Sequence, residues 1–316
     1  MNKSLIVLAV AALAVATSVQ AQETKVAIAI SGWTGFAPLT LAKEAGLFKK
    51  QGLDVTIKKI PQKDRHLAIA SGDVQCAATT VETWIGWNAA GVATTQIFQL
   101  DKSYGADGMV VKPGIAKISD LKGKTVAASP PGTSPYFALA WMLKKNGLSA
   151  KDVKVVNLEP QPAANAIIAG TDGIDAAMTY EPYLSAVRAK PEAGKIIATT
   201  LDYPMVMDTF GCTPKFLAEN PKAAKGLADA YFEAVDMIKA EPKKSFEIMG
   251  ADVKQSGEAF EGSQKYLRWQ DRAANQKFFA GEHAAFSKEA ADLLLEAGII
   301  KQIPDMTKLA DTQFIK

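Results

Sequence analysis

Residues 69–85 read IASGDVQCAATTVETWI, and residues 168–184 read IAGTDGIDAAMTYEPYL. At a constant offset of 99 the two stretches share Ala70/Ala169, Asp73/Asp172, Ala77/Ala176, Ala78/Ala177, Thr80/Thr179 and Glu82/Glu181. Trp84/Tyr183 and Ile85/Leu184 match in type. Upstream, Lys49-Lys50-Gln51-Gly52-Leu53 recurs as Lys144-Lys145-Asn146-Gly147-Leu148. Any two strand–helix units share an apolar run and a turn. Eight ordered matches in one window go beyond that, so the chain reads as two α/β lobes built on one plan.

The flanking sequence fits. Residues 25–30 (KVAIAI) form an apolar strand, and a helix over 38–50 opens on Pro38 and closes at Gly52. Strands follow at 54–60, 74–78 and 95–100, with helices around 64–71 and from Val81. The order restarts after Asp107, with strands at 108–112, 125–129, 153–158 and 174–179. Helices lie over 134–145, near 161–169 and from Glu181. Alternation of this kind predicts parallel sheets covered on both faces. Residues 220–300 read as helices with little strand signal, a tail expected to pack on one lobe. The division expected is a leader over 1–21, lobe one over 22–104, lobe two over 105–208, and a return to lobe one plus the tail over 209–316.

Met1-Asn2-Lys3, the uncharged run 5–16 and the small residues of Val19-Gln20-Ala21 make a cleavable export signal, cut after Ala21. The run is short of the ~20 residues that span a bilayer. The residue after the cut is Gln22, not Cys, so no lipid anchor is indicated. Of the 316 residues 48% are hydrophobic and 22% charged, with a net charge of +3. The four arginines, Arg65, Arg188, Arg268 and Arg272, are dispersed, and nucleic acid is a poor partner because it needs a concentrated basic patch. An exported protein can hold a disulfide. Cys76, inside the apolar run Cys76-Ala77-Ala78, nevertheless reads more simply as a small buried hydrophobe than as a partner for Cys212.

Trp33-Thr34-Gly35-Phe36-Ala37-Pro38, Glu44-Ala45-Gly46-Leu47-Phe48 and Gly52-Leu53-Asp54-Val55 carry a resemblance. So do Ala70-Ser71-Gly72-Asp73-Val74, Gly105-Ala106-Asp107-Gly108, Ile118-Ser119-Asp120-Leu121-Lys122-Gly123-Lys124 and Thr179-Tyr180-Glu181-Pro182-Tyr183. Together they resemble the nitrate/sulfonate/taurine/pyrimidine-precursor class of ABC-importer periplasmic substrate-binding proteins, over nearly the whole mature chain. The resemblance implies a type II periplasmic-binding-protein fold: two Rossmann-like lobes, a hinge and a helical C-terminal tail. It also implies a monomer with a small-molecule ligand in the cleft, and an ABC permease and its ATPase as partners.

Ligands of open α/β sheets bind beyond the carboxyl ends of the strands. That rule selects Trp33, Thr34, Gly35 and Phe36 after the first strand, and Thr79, Thr80 and Glu82 after the third. In lobe two it selects Gly132, Thr133 and Ser134, then Tyr180 and Glu181. Asp101, Tyr104 and Asp107 on the first crossover and Asp208 on the return complete the set. Trp33 suits a flat wall or the face that receives a cation, and equally a ring folded into its own lobe. Glu82 and Glu181 fit a structural role better, as acidic residues in a helix's first turn, and Thr79 with Glu82 has capping-box spacing. The aspartates also suit turns.

These loops are rich in carboxylates and aromatics, and Lys102 is the single basic residue among them. A strong anion calls for Arg or Lys, so the expectation leans to a neutral or cationic nitrogenous molecule, with a sulfonate- or nitrate-type anion as the alternative. A cofactor-precursor biosynthetic enzyme on the same fold is a second class. His66 and His283 lie outside the selected loops, and no HExxH, CxxC, GxSxG or phosphate loop occurs, so neither a catalytic residue nor a cofactor or metal is expected. A ligand-sensing partner of a membrane receptor shares the site and differs only in docking.

Overall fold

The computed structural model describes residues 23–316, so the expected leader lies outside the described residues. Two sheets carry the fold. The first has the order β11-β4-β10-β3-β1-β2. Its strands are β1 (Thr24–Ile30), β2 (Leu53–Lys59), β3 (Cys76–Thr80), β4 (Thr95–Ser103), β10 (Met207–Cys212) and β11 (Leu267–Trp269). The second has the order β7-β6-β8-β5-β9. It comprises β5 (Asp107–Val111), β6 (Thr125–Ala128), β7 (Lys154–Asn157), β8 (Ala176–Tyr180) and β9 (Lys195–Thr199).

The repeat is visible in the pairing. β1 lies parallel to β2 and β3, as β6 lies parallel to β7 and β8. Beyond the third strand each sheet takes an antiparallel strand supplied by a crossover: β10 beside β3, and β5 beside β8. The sheets are therefore mixed, not purely parallel as the alternation predicts. The chain enters the position beside each third strand on a crossover between the lobes, and that strand runs antiparallel to its neighbour. β9 and β10 have no counterpart in the expected element order.

The helices α1 (Ala37–Glu44), α2 (Leu47–Lys50), α3 (Gln62–Ala70) and α4 (Val81–Ala89) flank the first sheet. The single helix expected over 38–50 is interrupted at Gly46, whose φ of +73° is left-handed. In lobe two the helices are α5 (Ser134–Lys145), α6 (Pro160–Ile168) and α7 (Tyr183–Arg188). The C-terminal region adds α8 (Pro214–Glu219), α9 (Pro221–Ala240), α10 (Pro242–Asp252), α11 (Gly257–Gln264), α12 (Arg272–Lys277) and α13 (His283–Glu296). This region does not pack on one lobe as expected. Leu227, Tyr231 and Val235 of α9 join the lobe-one core with Phe98 and Phe210, whereas Phe286, Ala290 and Leu294 of α13 join the lobe-two core with Phe137 and Leu139.

Cys76 and Cys212 are bonded, with Sγ atoms 2.06 Å apart, which corrects the expectation of a free buried thiol. They are direct partners in the antiparallel β3–β10 pair. The return strand brings Cys212 across 136 residues of chain, a proximity no local pattern announces. Among the described residues no helix is long and apolar enough to cross a membrane.

Candidate functional site

At the carboxyl ends of β3 and β4 the pairing sets polar residues in a row. Thr80 ends β3 opposite Asp208 at the start of β10, and Asp208 lies opposite Asp101 on β4. Lobe two repeats the device, with Asp107 at the start of β5 opposite Tyr180 at the end of β8. Residues directly opposite on an antiparallel pair project to the same face about 4.5–5.5 Å apart. The three aspartates therefore sit on strands, not in the turns expected of Asp101, Asp107 and Asp208.

Between the lobes lies a cavity bounded by Ser31, Trp33, Phe36, Gln62, Arg65 and Thr80 from lobe one. Asp107, Ser134 and Tyr180 face them from lobe two, with Val206 and Asp208 on the returning chain. It encloses about 20 Å³ of free space, little more than a single water needs. The lobes are closed around it. The indole N–H of Trp33 donates to Asp101 Oδ1 at 3.2 Å, and its ring meets Tyr180 edge-on at 5.3 Å between centroids. Trp33 is thus both fixed to its own lobe and a wall of the cleft.

Arg65 was not singled out by sequence. It is buried on α3, with Nε donating to the Ile60 carbonyl at 2.9 Å and Nη1 to the Ala78 carbonyl at 2.5 Å. Burial lowers its pKa to about 10, opposed by Tyr180, Asp208 and Glu159. Its presence removes the premise that the cleft holds no strong cation. Gln62 and Val206 also line the cavity without belonging to the expected loops, and Ser31, which opens the loop after the first strand, lines it as well.

The carboxyl groups are costly where they are. Burial pushes Glu82 up to about 8, against hydrogen bonds that include the Thr80 hydroxyl. Burial likewise raises Asp107 to about 7. Asp101 and Asp208 are raised by burial, Asp208 also by Asp101 beside it and Asp101 by Asp107. Four buried polar atoms here have no protein partner: Arg65 Nη2, Glu82 Oε2, Asp107 Oδ2 and Ser134 Oγ. A buried group left so costs ~1–3 kcal/mol.

Several expected residues stand elsewhere. Trp33, Phe36, Thr80, Asp107, Ser134, Tyr180 and Asp208 reach the cavity wall, while Asp101 stands behind Trp33. Glu82 is buried next to the wall. The capping box expected of Thr79 and Glu82 does not form: Thr80 is the N-cap, and its hydroxyl donates to Glu82. Thr79 instead accepts from Gln62. Thr34 and Gly35 lie behind the wall, where Gly35 lets Asp101 meet Trp33. Tyr104 is exposed and covered by Arg268, 4.3 Å from its ring, so it belongs to the outer face of the crossover. Gly132 makes the turn before α5, and Thr133 donates to the Pro130 carbonyl at 2.6 Å. Glu181 is an ion-pair partner of Arg188, whose Nη2 holds the Gly105 carbonyl of the crossover at 2.9 Å.

The family profile described as NMT1/THI5 like matches residues 33–245. The chain belongs to the NMT1/THI5-like family. Within reach of this family, the taurine-binding periplasmic protein of Escherichia coli strain K12 is 30% identical over 235 residues, 71% of this chain and 69% of the relative. The alkanesulfonate-binding protein SsuA of Xanthomonas axonopodis pv. citri, solved bound to MOPS, superposes with a TM-score of 0.78. It is 17% identical, over 92% of this chain and 99% of that one. The aliphatic sulphonate-binding SsuA of Escherichia coli gives 0.75 at 18% identity, over 92% and 93%. These likenesses establish the periplasmic-binding-protein fold. The desulfurization enzyme DSZB shares the fold at a TM-score of 0.67 and 14% identity, over 93% of this chain and 98% of that one, so the architecture also hosts catalysis.

Proposed function

We propose that this protein captures a compact organic cation in the interlobe cleft after export to the periplasm, and delivers it to a membrane permease driven by its ATPase. The observation that carries the charge is the buried cluster of Glu82, Asp101, Asp107 and Asp208, raised by burial and by neighbouring carboxylates, while of the four only Asp208 faces the Arg65 guanidinium. Without a ligand, protons must neutralise these groups. A positively charged nitrogen does the same work through charge-assisted hydrogen bonds, with the ring faces of Trp33 and Tyr180 beside it. Among the described residues no group of three or more His, Cys, Asp or Glu is placed to hold a metal ion, which favours an organic cation. The small cavity favours a compact one. The proposed contacts are Trp33, Phe36, Thr80, Asp107, Ser134, Tyr180 and Asp208, together with Gln62 and Arg65.

The second reading is an anion of sulfonate type. Arg65 Nη2, buried and unpartnered, favours it, as do the ligands named for the relatives. Proton linkage separates the two. A cation displaces protons from Glu82 and Asp107, so binding releases protons and tightens as pH rises from 6 towards 8. An anion beside the same groups holds protons on, and its affinity falls over that range. The experiment is titration calorimetry of the mature chain with methylammonium, guanidinium, taurine and ethanesulfonate, each in buffers of different ionisation enthalpy. Proton release with either cation supports the first reading. Tight binding of ethanesulfonate that weakens with rising pH overturns it, and preference for taurine over all three single-charge probes assigns Arg65 and the carboxyls to opposite ends of one zwitterion.

A further inference from the structure

We infer that Gln62 is a positioning residue that latches lobe two onto lobe one when the cleft closes. This rests on the reading of the cavity as the ligand site, and it is independent of the ligand's charge. Gln62 opens α3 in lobe one. Its Nε2 donates to Thr79 Oγ1 at 2.8 Å and Thr83 Oγ1 at 2.9 Å, both on lobe one. Its Oε1 accepts from the backbone N–H of Ser134, the first residue of α5 in lobe two, at 3.1 Å.

The orientation of the amide follows from its partners. A backbone N–H can only donate, so the oxygen must face Ser134 and the nitrogen the two hydroxyls. The Ser134 N–H is one of the four that an α-helix leaves without an internal acceptor. Closing the cleft removes that group from water, and Gln62 supplies what water supplied. Two hydroxyls hold the amide in place beforehand, so little side-chain freedom is lost on docking. The aromatic contact Trp33–Tyr180 also crosses the cleft, but it is non-directional beside a bond aimed at one amide. Gln62 thereby links the cavity wall, which it helps to form, to the angle between the lobes.

The test is amide hydrogen exchange on the ligand-free mature chain, read at Ser134 and at Phe137, with small-angle scattering for lobe closure. Phe137 N–H bonds within its own helix, to the Thr133 carbonyl at 3.0 Å, and reports the integrity of α5. Gln62→Met keeps the volume and removes these bonds, together with the long one from Nε2 to Thr80 Oγ1 at 3.5 Å. The expected result is about tenfold faster exchange at Ser134, unchanged exchange at Phe137 and a larger radius of gyration. Thr83→Val removes one of the two anchoring bonds and is expected to move Ser134 in the same direction by less. Unchanged Ser134 exchange in Gln62→Met overturns the latch. Faster exchange at both amides also overturns it, since that is fraying of α5. No ligand is added, so an error in the proposed charge of the ligand leaves this measurement standing.

Discussion

At Gly35 the side chain that is missing is what the site requires. A Cβ there would fall 2.2 Å from both Asp101 Oδ2 and Trp33 Nε1, so any other residue forces the indole and the carboxyl apart. Gly35→Ala is expected to break that bond and weaken ligand binding by about 10–100-fold, read by calorimetry, because a buried partner left unmatched costs ~1–3 kcal/mol. Glu82 gives a second test. Its pKa stands at about 8 in the folded protein against an ordinary 4.5, so its contribution to stability is complete below about 4.5 and is lost as pH rises through about 8. The ligand-free wild type is expected to melt at progressively lower temperature from pH 5 to pH 8. Glu82→Gln, which cannot ionise, is expected to flatten that slope and to melt above the wild type at pH 8, as scanning calorimetry would show. Sequence points to Trp33 because loop position alone brings it to the cleft, and to Asp208 as a residue of the return crossover, which the structure sets on β10. It did not point to Arg65, which stands among Lys63, Asp64 and His66 and looks like one charge on a solvated helix face. Only the packing of α3 against β3 turns it inward.

The element that decides most is β10. Its sequence MDTFGC has no alternation and contains Asp and Gly, both poor strand formers, so nothing local announces a strand. It is buried throughout because it lies between β3 and β4 in the middle of a sheet, a position that tertiary pairing alone creates. By contrast α5 was legible to the residue, since Ser134-Pro135 suits a helix start and Gly147 a helix end. The bond from Cys76 on β3 to Cys212 on β10 ties this strand in place across 136 residues. Reduction by dithiothreitol, or Cys212→Ser, is expected to cost ~2–4 kcal/mol in chemical denaturation while the β-sheet signal of the native state persists. An unchanged denaturation midpoint would show that β10 holds its place by pairing alone.

Across the whole molecule the doubled plan was legible because it leaves the same residues at the same strand ends twice. The extension of that plan to the crossing strands was not, though the signal exists: Asp107 opens β5, and Asp208 stands second in β10. The expected leader belongs to this scale too. Intact mass of protein recovered from the periplasm is expected to begin at Gln22, and a mature chain starting elsewhere would correct the cut after Ala21.

The exchange of strands also imposes an order of arrival. A chain that emerges from a membrane pore N-terminus first presents β1 to β4 early, with the central groove between β3 and β4 unfilled. The sheet of lobe two, from Asp107 to Thr199, is nearly continuous and can pair early, although its core waits for α13. The filling strand comes more than a hundred residues after β4 begins, and it brings Asp208 and Cys212 together. Capacity to bind and protection of the thiols should therefore appear at the same moment during biogenesis, when the half-built lobe ceases to be an open sheet that other chains could join. Alkylation of Cys76 in chains arrested before residue 207, and its loss in chains extended past Cys212, would show that moment directly.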